Sequence, residues 1–207
     1  EFLRFKKGYN VSTYLEFNRK WGLGTSSTLI NNIAKWANID AYQLLDKTFG
    51  GSGYDIAAAR HNAPIFYETA GENPLVRELT LPWDFTEQLF FIYLNRKQDS
   101  KEGIARYKRK TVTEKQLAQI TDLTKKLLLC YTLPDFEKIM EAHERVISEM
   151  IGLPTVKEQL FQDYEGIVKS LGAWGGDFVL ATGSLQHMDY FKKKGYTTII
   201  PYAKMLL

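Results

Sequence analysis

The sequence predicts an α+β fold in two parts, and three observations carry that expectation. Short runs of strand character mix with segments of helical period, without the regular βαβ spacing of a doubly wound sheet. After Pro82-Trp83 the texture changes from short, glycine-punctuated elements to longer helices, which sets a boundary near residue 85. Apolar residues make up 44% of the 207 and charged residues 25%, a composition that builds cores and excludes disordered or fibrous classes.

The elements follow in order. Tyr9, Val11, Thr13, Leu15 and Phe17 alternate with polar or smaller residues, which predicts a half-buried strand over Tyr9–Phe17. After the turn Trp21-Gly22-Leu23-Gly24, a helix is expected from Thr25 to Ala37, with Leu29, Ile30, Ile33, Ala34 and Ala37 on one stripe. Ala41–Thr48 reads as a second helix, 49–53 as a glycine loop and Tyr54–Ala59 as a third short helix. Strands are expected at Pro64–Glu68, Val76–Leu81 and Leu89–Leu94, the first two joined by a turn at Gly71-Glu72-Asn73-Pro74. Helices are expected near Lys101–Lys110, Glu114–Leu129, Pro134–Ile151 and Pro154–Asp163, with both prolines in a first helical turn. Phe178–Ala181 as strand, Leu185–Lys194 as helix and Thr197–Tyr202 as strand close the chain.

The bulk properties bound function only loosely. A net charge of +3 names no partner, and the longest apolar runs, such as Leu89-Phe90-Phe91-Ile92, fall short of a membrane span. The lone Cys130 excludes a disulfide framework or a cysteine-based zinc site and suits a reducing, cytoplasmic setting. The residues from Glu1-Phe2-Leu3 onward show no basic-then-apolar pattern, so neither secretion nor a membrane is expected.

Three glycine-centred segments are the candidate chemistry. In Gly22-Leu23-Gly24-Thr25-Ser26-Ser27-Thr28, glycines let backbone approach an anion while a helix start supplies free N–H groups and a positive dipole end. The segment is neither a Walker A loop nor a dinucleotide fingerprint, and a turn with a Ser/Thr helix cap explains it equally well. In Gly50-Gly51-Ser52-Gly53-Tyr54-Asp55, the aspartate after the loop either takes a proton from a substrate hydroxyl or caps a helix beginning at Ile56. In Lys169-Ser170-Leu171-Gly172-Ala173-Trp174-Gly175-Gly176-Asp177, small residues around a tryptophan bring backbone close to a ligand or lead tightly into a central strand.

Taken together, the order and texture of these segments resemble the GHMP kinases, the family of galactokinase, homoserine kinase, mevalonate kinase and phosphomevalonate kinase. Gly22-Leu23-Gly24-Thr25-Ser26-Ser27 is similar to that family's Gly-Leu-Gly-Ser-Ser-Ala motif. Ser52-Gly53-Tyr54-Asp55 matches the Ser-Gly-x-Asp of its mevalonate and phosphomevalonate branches, and the Gly-Tyr-Asp-Ile-Ala string resembles the GYDIA-type subgroup. Gly172-Ala173-Trp174-Gly175-Gly176-Asp177, with Lys169 before it, is similar to the phosphomevalonate kinase third motif.

The resemblance implies an ATP- and Mg²⁺-dependent kinase that moves the γ-phosphoryl group to a hydroxyl or phosphate oxygen of a mevalonate- or phosphomevalonate-like metabolite. It implies a ribosomal-S5-domain-2-like N-terminal domain over residues 1–85 and a ferredoxin-like domain over 86–207. Gly22, Leu23, Gly24, Thr25, Ser26 and Ser27 would wrap the ATP phosphates, with Ser26 a magnesium ligand and Asp55 the catalytic carboxylate. Ser52, Gly53, Lys169, Gly172, Ala173, Gly175, Gly176 and Asp177 would form the substrate and closing loops. The chain departs from the pattern in four ways. No proline precedes the second motif, Trp174 replaces a glycine, Leu44 stands where mevalonate kinases have a magnesium-binding glutamate with Asp46 only nearby, and no segment before Gly22 resembles the first motif. An upstream segment is therefore expected to be missing from the chain.

Other polar residues carry weaker signals. His143 shares an apolar helix face with Phe136, Met140 and Ile147 and reads as a core or interdomain histidine, while His61 and His187 lack partners at metal spacing. Arg96–Lys115 holds eight basic and three acidic residues, which would neutralise a phosphorylated substrate, bind nucleic acid or, as is commoner, form a solvated helix face. The aromatics do not interleave with that run, so nucleic acid is not an expected partner. The competing function is a non-catalytic ligand- or RNA-binding protein on the same fold. Oligomeric state is not legible.

Overall fold

The computed structural model describes residues 8–69, 74–97, 100–172 and 174–206, which divide into two compact units, the first ending at Thr80 and the second beginning at Leu81. In the first unit, α1 (Thr25–Ala37), α2 (Ala41–Asp46) and α3 (Tyr54–Ala58) precede an antiparallel pair, β1 (Ile65–Glu68) and β2 (Leu75–Glu78), in which Ile65 faces Glu78 and Glu68 faces Leu75. A small core of Ile30, Ala34, Ala41 and Ile56 joins the three helices, with Tyr42, Leu44 and Leu45 packed against it. Asp40 starts α2 by accepting from Gln43 N at 2.8 Å, and Asn38, left-handed at φ 54°, ends α1.

One sequence expectation changes here. Tyr9–Phe17 is not a strand: no ladder pairs it among the described residues, and Val11 and Tyr14 are 62% and 91% exposed. Alternation marks a strand only where a neighbouring strand takes up its N–H and C=O groups. Of the 71–74 turn, only Pro74 lies within the described residues.

The second unit is built on a four-stranded antiparallel sheet of β3 (Leu89–Tyr93), β4 (Val168–Ser170), β5 (Phe178–Thr182) and β6 (Ile199–Pro201), in the spatial order β4-β5-β3-β6. Both faces are covered, which explains the continuous apolar run of β3. Phe90, Ile92, Val168, Val179 and Ala181 pack with Phe161, Met188 and Phe191 on one face. Leu89, Ile167 and Leu180 pack with Phe85, Phe136 and Met140 on the other.

Between β3 and β4 run α4 (Ser100–Lys108), α5 (Glu114–Leu128), α6 (Leu133–Ile151) and α7 (Val156–Leu160). Thr113 with Gln116, and Thr155 with Glu158, form capping boxes at the starts of α5 and α7. Pro134 lies in the first turn of α6, and Gly152 at φ 66° ends that helix. Pro154 instead precedes the Thr155 cap, because the capping box starts the helix at Val156; α7 stops at Leu160. Residues 185–188 are turn rather than helix, so α8 is only Asp189–Lys193. β4, within a segment read as loop, and α9 (Tyr202–Met205) are additional. Among the described residues no helix is long and apolar enough to cross a membrane.

Candidate active site

The first glycine segment opens α1. Gly22 and Gly24 are both left-handed at φ 68°, and Gly24 is the N-cap. No side chain caps this helix: the Ser27 and Thr28 hydroxyls donate back to the Gly24 carbonyl at 2.8 and 3.1 Å. The expected Ser/Thr cap is therefore absent, and the first-turn N–H groups of a 13-residue helix remain without side-chain acceptors. Leu23 and Thr25 are half-buried, Ser26 is exposed and Ser27 is buried. The backbone can take an anion here, with the Ser26 hydroxyl facing solvent beside it.

The second segment leads into α3. Gly53, at φ 82°, is the N-cap, and Asp55 stands second in the helix. Asp55 is thus not a cap for a helix beginning at Ile56, since the helix already starts at Tyr54. Its carboxyl is open to solvent on one side and crowded by protein on the other. This crowding raises its pKa above the ordinary carboxylate value, opposed by the Tyr54 hydroxyl. Tyr54 in turn is pushed up to about 12, first by burial and then by the Asp55 charge. A carboxylate of raised basicity beside a glycine loop can accept a hydroxyl proton.

Local contacts fix this loop. Tyr67 donates to the Ser52 carbonyl at 2.5 Å. A Cβ at Gly53 would lie 3.0 Å from the Tyr42 ring and 3.1 Å from the Tyr67 hydroxyl. Asn31 of α1 donates to the Ile56 carbonyl at 3.0 Å and accepts from Arg60 Nε at 2.9 Å. One side chain thereby ties the helix after the first segment to the helix carrying Asp55.

The third segment belongs to the second unit and is a hairpin loop between β4 and β5. Gly172, Trp174, Gly175 and Asp177 all take positive φ, at 59°, 58°, 91° and 51°. Trp174 thus keeps a backbone conformation favoured by the glycine it replaces, and its ring lies 6.5 Å from that of Tyr107. Gly176 is buried, and Ala173 lies outside the described residues. Asp177 N donates to Arg96 O at 2.6 Å, and Asp177 O accepts from Leu94 N at 2.7 Å. Lys169 is in β4, buried and ion-paired with Glu144 at 2.8 Å.

Glu144 is the residue that sequence reading missed. It follows Phe136 and Met140 at helical i+4 steps, so an acidic residue on the buried stripe of α6 was its available signal. His143 beside it has a buried Nδ1 without a hydrogen-bond partner, and burial, reinforced by Lys169, lowers its pKa to about 4. The other weak candidates have local roles: His61 Nδ1 donates to Ala57 O at 2.7 Å, and His187 Nδ1 accepts from Ser184 N at 3.0 Å. Within the basic run, Arg106 pairs with Glu102 at 3.8 Å along α4. Leu44 packs on the helical core, where a glutamate would bury charge. No group of three His, Cys, Asp or Glu among the described residues could hold a metal.

No family model matches the chain, and no curated protein sequence does. Among solved structures it is similar to the L. major mevalonate kinase in complex with R-mevalonate, at a TM-score of 0.58 and 16% identity over 87% of this chain. A mevalonate-3-kinase from Thermoplasma acidophilum, mevalonate-bound, aligns at a TM-score of 0.47 and 10% identity, over 81% of this chain and 58% of its own. The chain spans 63% of the L. major kinase. What the matched part of this chain shares with the L. major kinase is the fold.

Proposed function

We propose that the protein is an ATP-dependent phosphotransferase of the GHMP type, acting on a mevalonate- or phosphomevalonate-like metabolite. The observation that carries this reading is Asp55 in the first turn of α3, in the same unit as the uncapped glycine-flanked start of α1. The mevalonate-kinase-like fold supports it, as does the strand order β4-β5-β3-β6 expected of a ferredoxin-like second domain.

In this reading Gly22, Leu23, Gly24, Thr25, Ser26 and Ser27 receive the ATP phosphates on backbone N–H groups. Magnesium enters as part of the nucleotide, with the exposed Ser26 hydroxyl as the chain's ligand; the residues fit phosphate better than a resident cation. Asp55 accepts the acceptor hydroxyl's proton as its oxygen attacks the γ-phosphorus, the new O–P bond forms, and the bond to ADP breaks. A phosphate-oxygen acceptor would already be ionised, leaving Asp55 to orient it. Ser52 and Gly53 shape the acceptor side. The motif resemblance assigns Gly172, Ala173, Gly175, Gly176 and Asp177 to the closing loop, and Lys169 stands before it in β4, ion-paired with Glu144.

The departure at Leu44 favours one competing reading, a protein that binds ligand or RNA without catalysis. Calorimetric titration of the full gene product with ATP, with and without Mg²⁺, separates the two. Magnesium-dependent ATP binding supports the kinase reading; absence of ATP binding refutes it.

A further inference from the structure

A buried polar cluster sits where β4 ends and the third glycine loop begins. Glu144, Lys169 and Ser170 are 6%, 8% and 4% exposed. Glu144 Oε1 accepts from Ser170 N at 3.1 Å and from Ser170 Oγ at 2.5 Å. Glu144 Oε2 meets Lys169 Nζ at 2.8 Å, and the same ammonium donates to Ser170 O at 2.8 Å. Both backbone groups of one residue are therefore held by one ion pair.

Helix–sheet adhesion does not require this arrangement. Burying a carboxylate and an ammonium carries a desolvation penalty, and apolar residues of similar volume often hold such an interface as well or better. Apolar residues would not fix the Ser170 N–H and C=O. Ser170 is the last residue of β4, and the loop after it holds four positive-φ residues within six positions. Backbone bonds from Asp177 to Arg96 and Leu94 secure the loop's far end. At its near end the side-chain cluster performs that task.

We propose that Glu144 is a positioning residue: with Lys169 it clamps the backbone of Ser170 and so fixes the glycine loop that follows. That the loop is fixed for phosphoryl transfer rests on the function proposed above. The clamp predicts two effects on removal, a loosened loop and weaker use of ATP, without loss of the surrounding fold.

The test uses the full gene product as Glu144→Gln and as the double variant Glu144→Gln/Lys169→Met. The double variant removes the buried ammonium that the single change would leave unpaired. Amide exchange read by mass spectrometry should quicken about tenfold or more over 171–177 in both, while α6 and β5 keep their protection. In phosphoryl transfer the KM for ATP should rise about tenfold in the double variant, with kcat changing less. Unchanged loop exchange in the double variant overturns the clamp, as does a uniform rise across the second unit. A loosened loop with unaltered KM and kcat overturns its positioning role. If the loop loosens but the wild-type protein transfers no phosphoryl group, the clamp stands and the kinase reading fails.

Discussion

Lowering the pH should unload a specific part of the second unit's stability, because His143 resists protonation in the folded state. Burial is the main cause and the Lys169 ammonium the second; the Glu144 charge opposes them without prevailing. The folded pKa is about 4 against an ordinary value of 6.5. Above pH 6.5 the imidazole is neutral in both states and places no charge in the fold. As pH falls through 6.5 the unfolded chain takes up a proton that the folded chain does not, and stability declines until about pH 4. The slope inside this window approaches about 1.4 kcal/mol per pH unit, for a total of about 3 kcal/mol. Urea unfolding followed by circular dichroism at pH 7, 6, 5 and 4, on wild type and His143→Gln, measures it. Carboxylates titrate in both proteins, so the difference between them isolates the imidazole. Wild type should lose about 3 kcal/mol more than the variant between pH 7 and 4. A difference below about 1 kcal/mol would refute the burial of a neutral imidazole beside Lys169.

Three substitutions probe the scaffold around the candidate residues. Gly166→Ala places a Cβ 2.3 Å from the Thr182 carbonyl oxygen and 2.9 Å from the Tyr164 ring. It should destabilise the second unit by about 3 kcal/mol, read by thermal or urea unfolding, because backbone on one side cannot yield. Gly53→Ala combines a left-handed φ of 82° with contacts at 3.0 Å to Tyr42. It should cost about 1–2 kcal/mol in the first unit, and phosphoryl transfer should fall further than the unfolded fraction explains. Tyr67→Phe deletes the 2.5 Å bond to the Ser52 carbonyl and should cost about 1 kcal/mol by the same unfolding assay.

Much of the second unit could be read from local pattern. β3 and α6 announce themselves, one by an apolar run too short for a helix and the other by a proline in its first turn and a glycine at its end. β4 was hidden because Val168-Lys169-Ser170 carries only one apolar residue, its lysine being buried through an ion pair. No local rule reveals such a pairing when the partner lies 25 residues earlier on a different element. Tyr9–Phe17 failed in the opposite direction, since its alternation needs a partner strand absent among the described residues. The glycine segments were visible as composition, yet their geometry was not. That α1 begins without a side-chain cap follows from Gly24 standing at its N-cap, with the Ser27 and Thr28 hydroxyls inside the helix bonded back to the Gly24 carbonyl. The tie through Asn31 between α1 and α3 is likewise a long-range contact with no sequence signature.

The central claim is that Asp55 serves phosphoryl transfer from ATP. The most direct measurement is ADP release by the full gene product with MgATP, over a panel of mevalonate, phosphomevalonate, homoserine and sugars, in wild type and Asp55→Asn. The account predicts acceptor-dependent ADP release with at least one mevalonate-like compound, and its loss in Asp55→Asn with unfolding behaviour and ATP affinity retained. Turnover that survives Asp55→Asn would contradict the assignment of the carboxylate, and ADP release with none of the mevalonate-like acceptors would contradict the proposed substrate class.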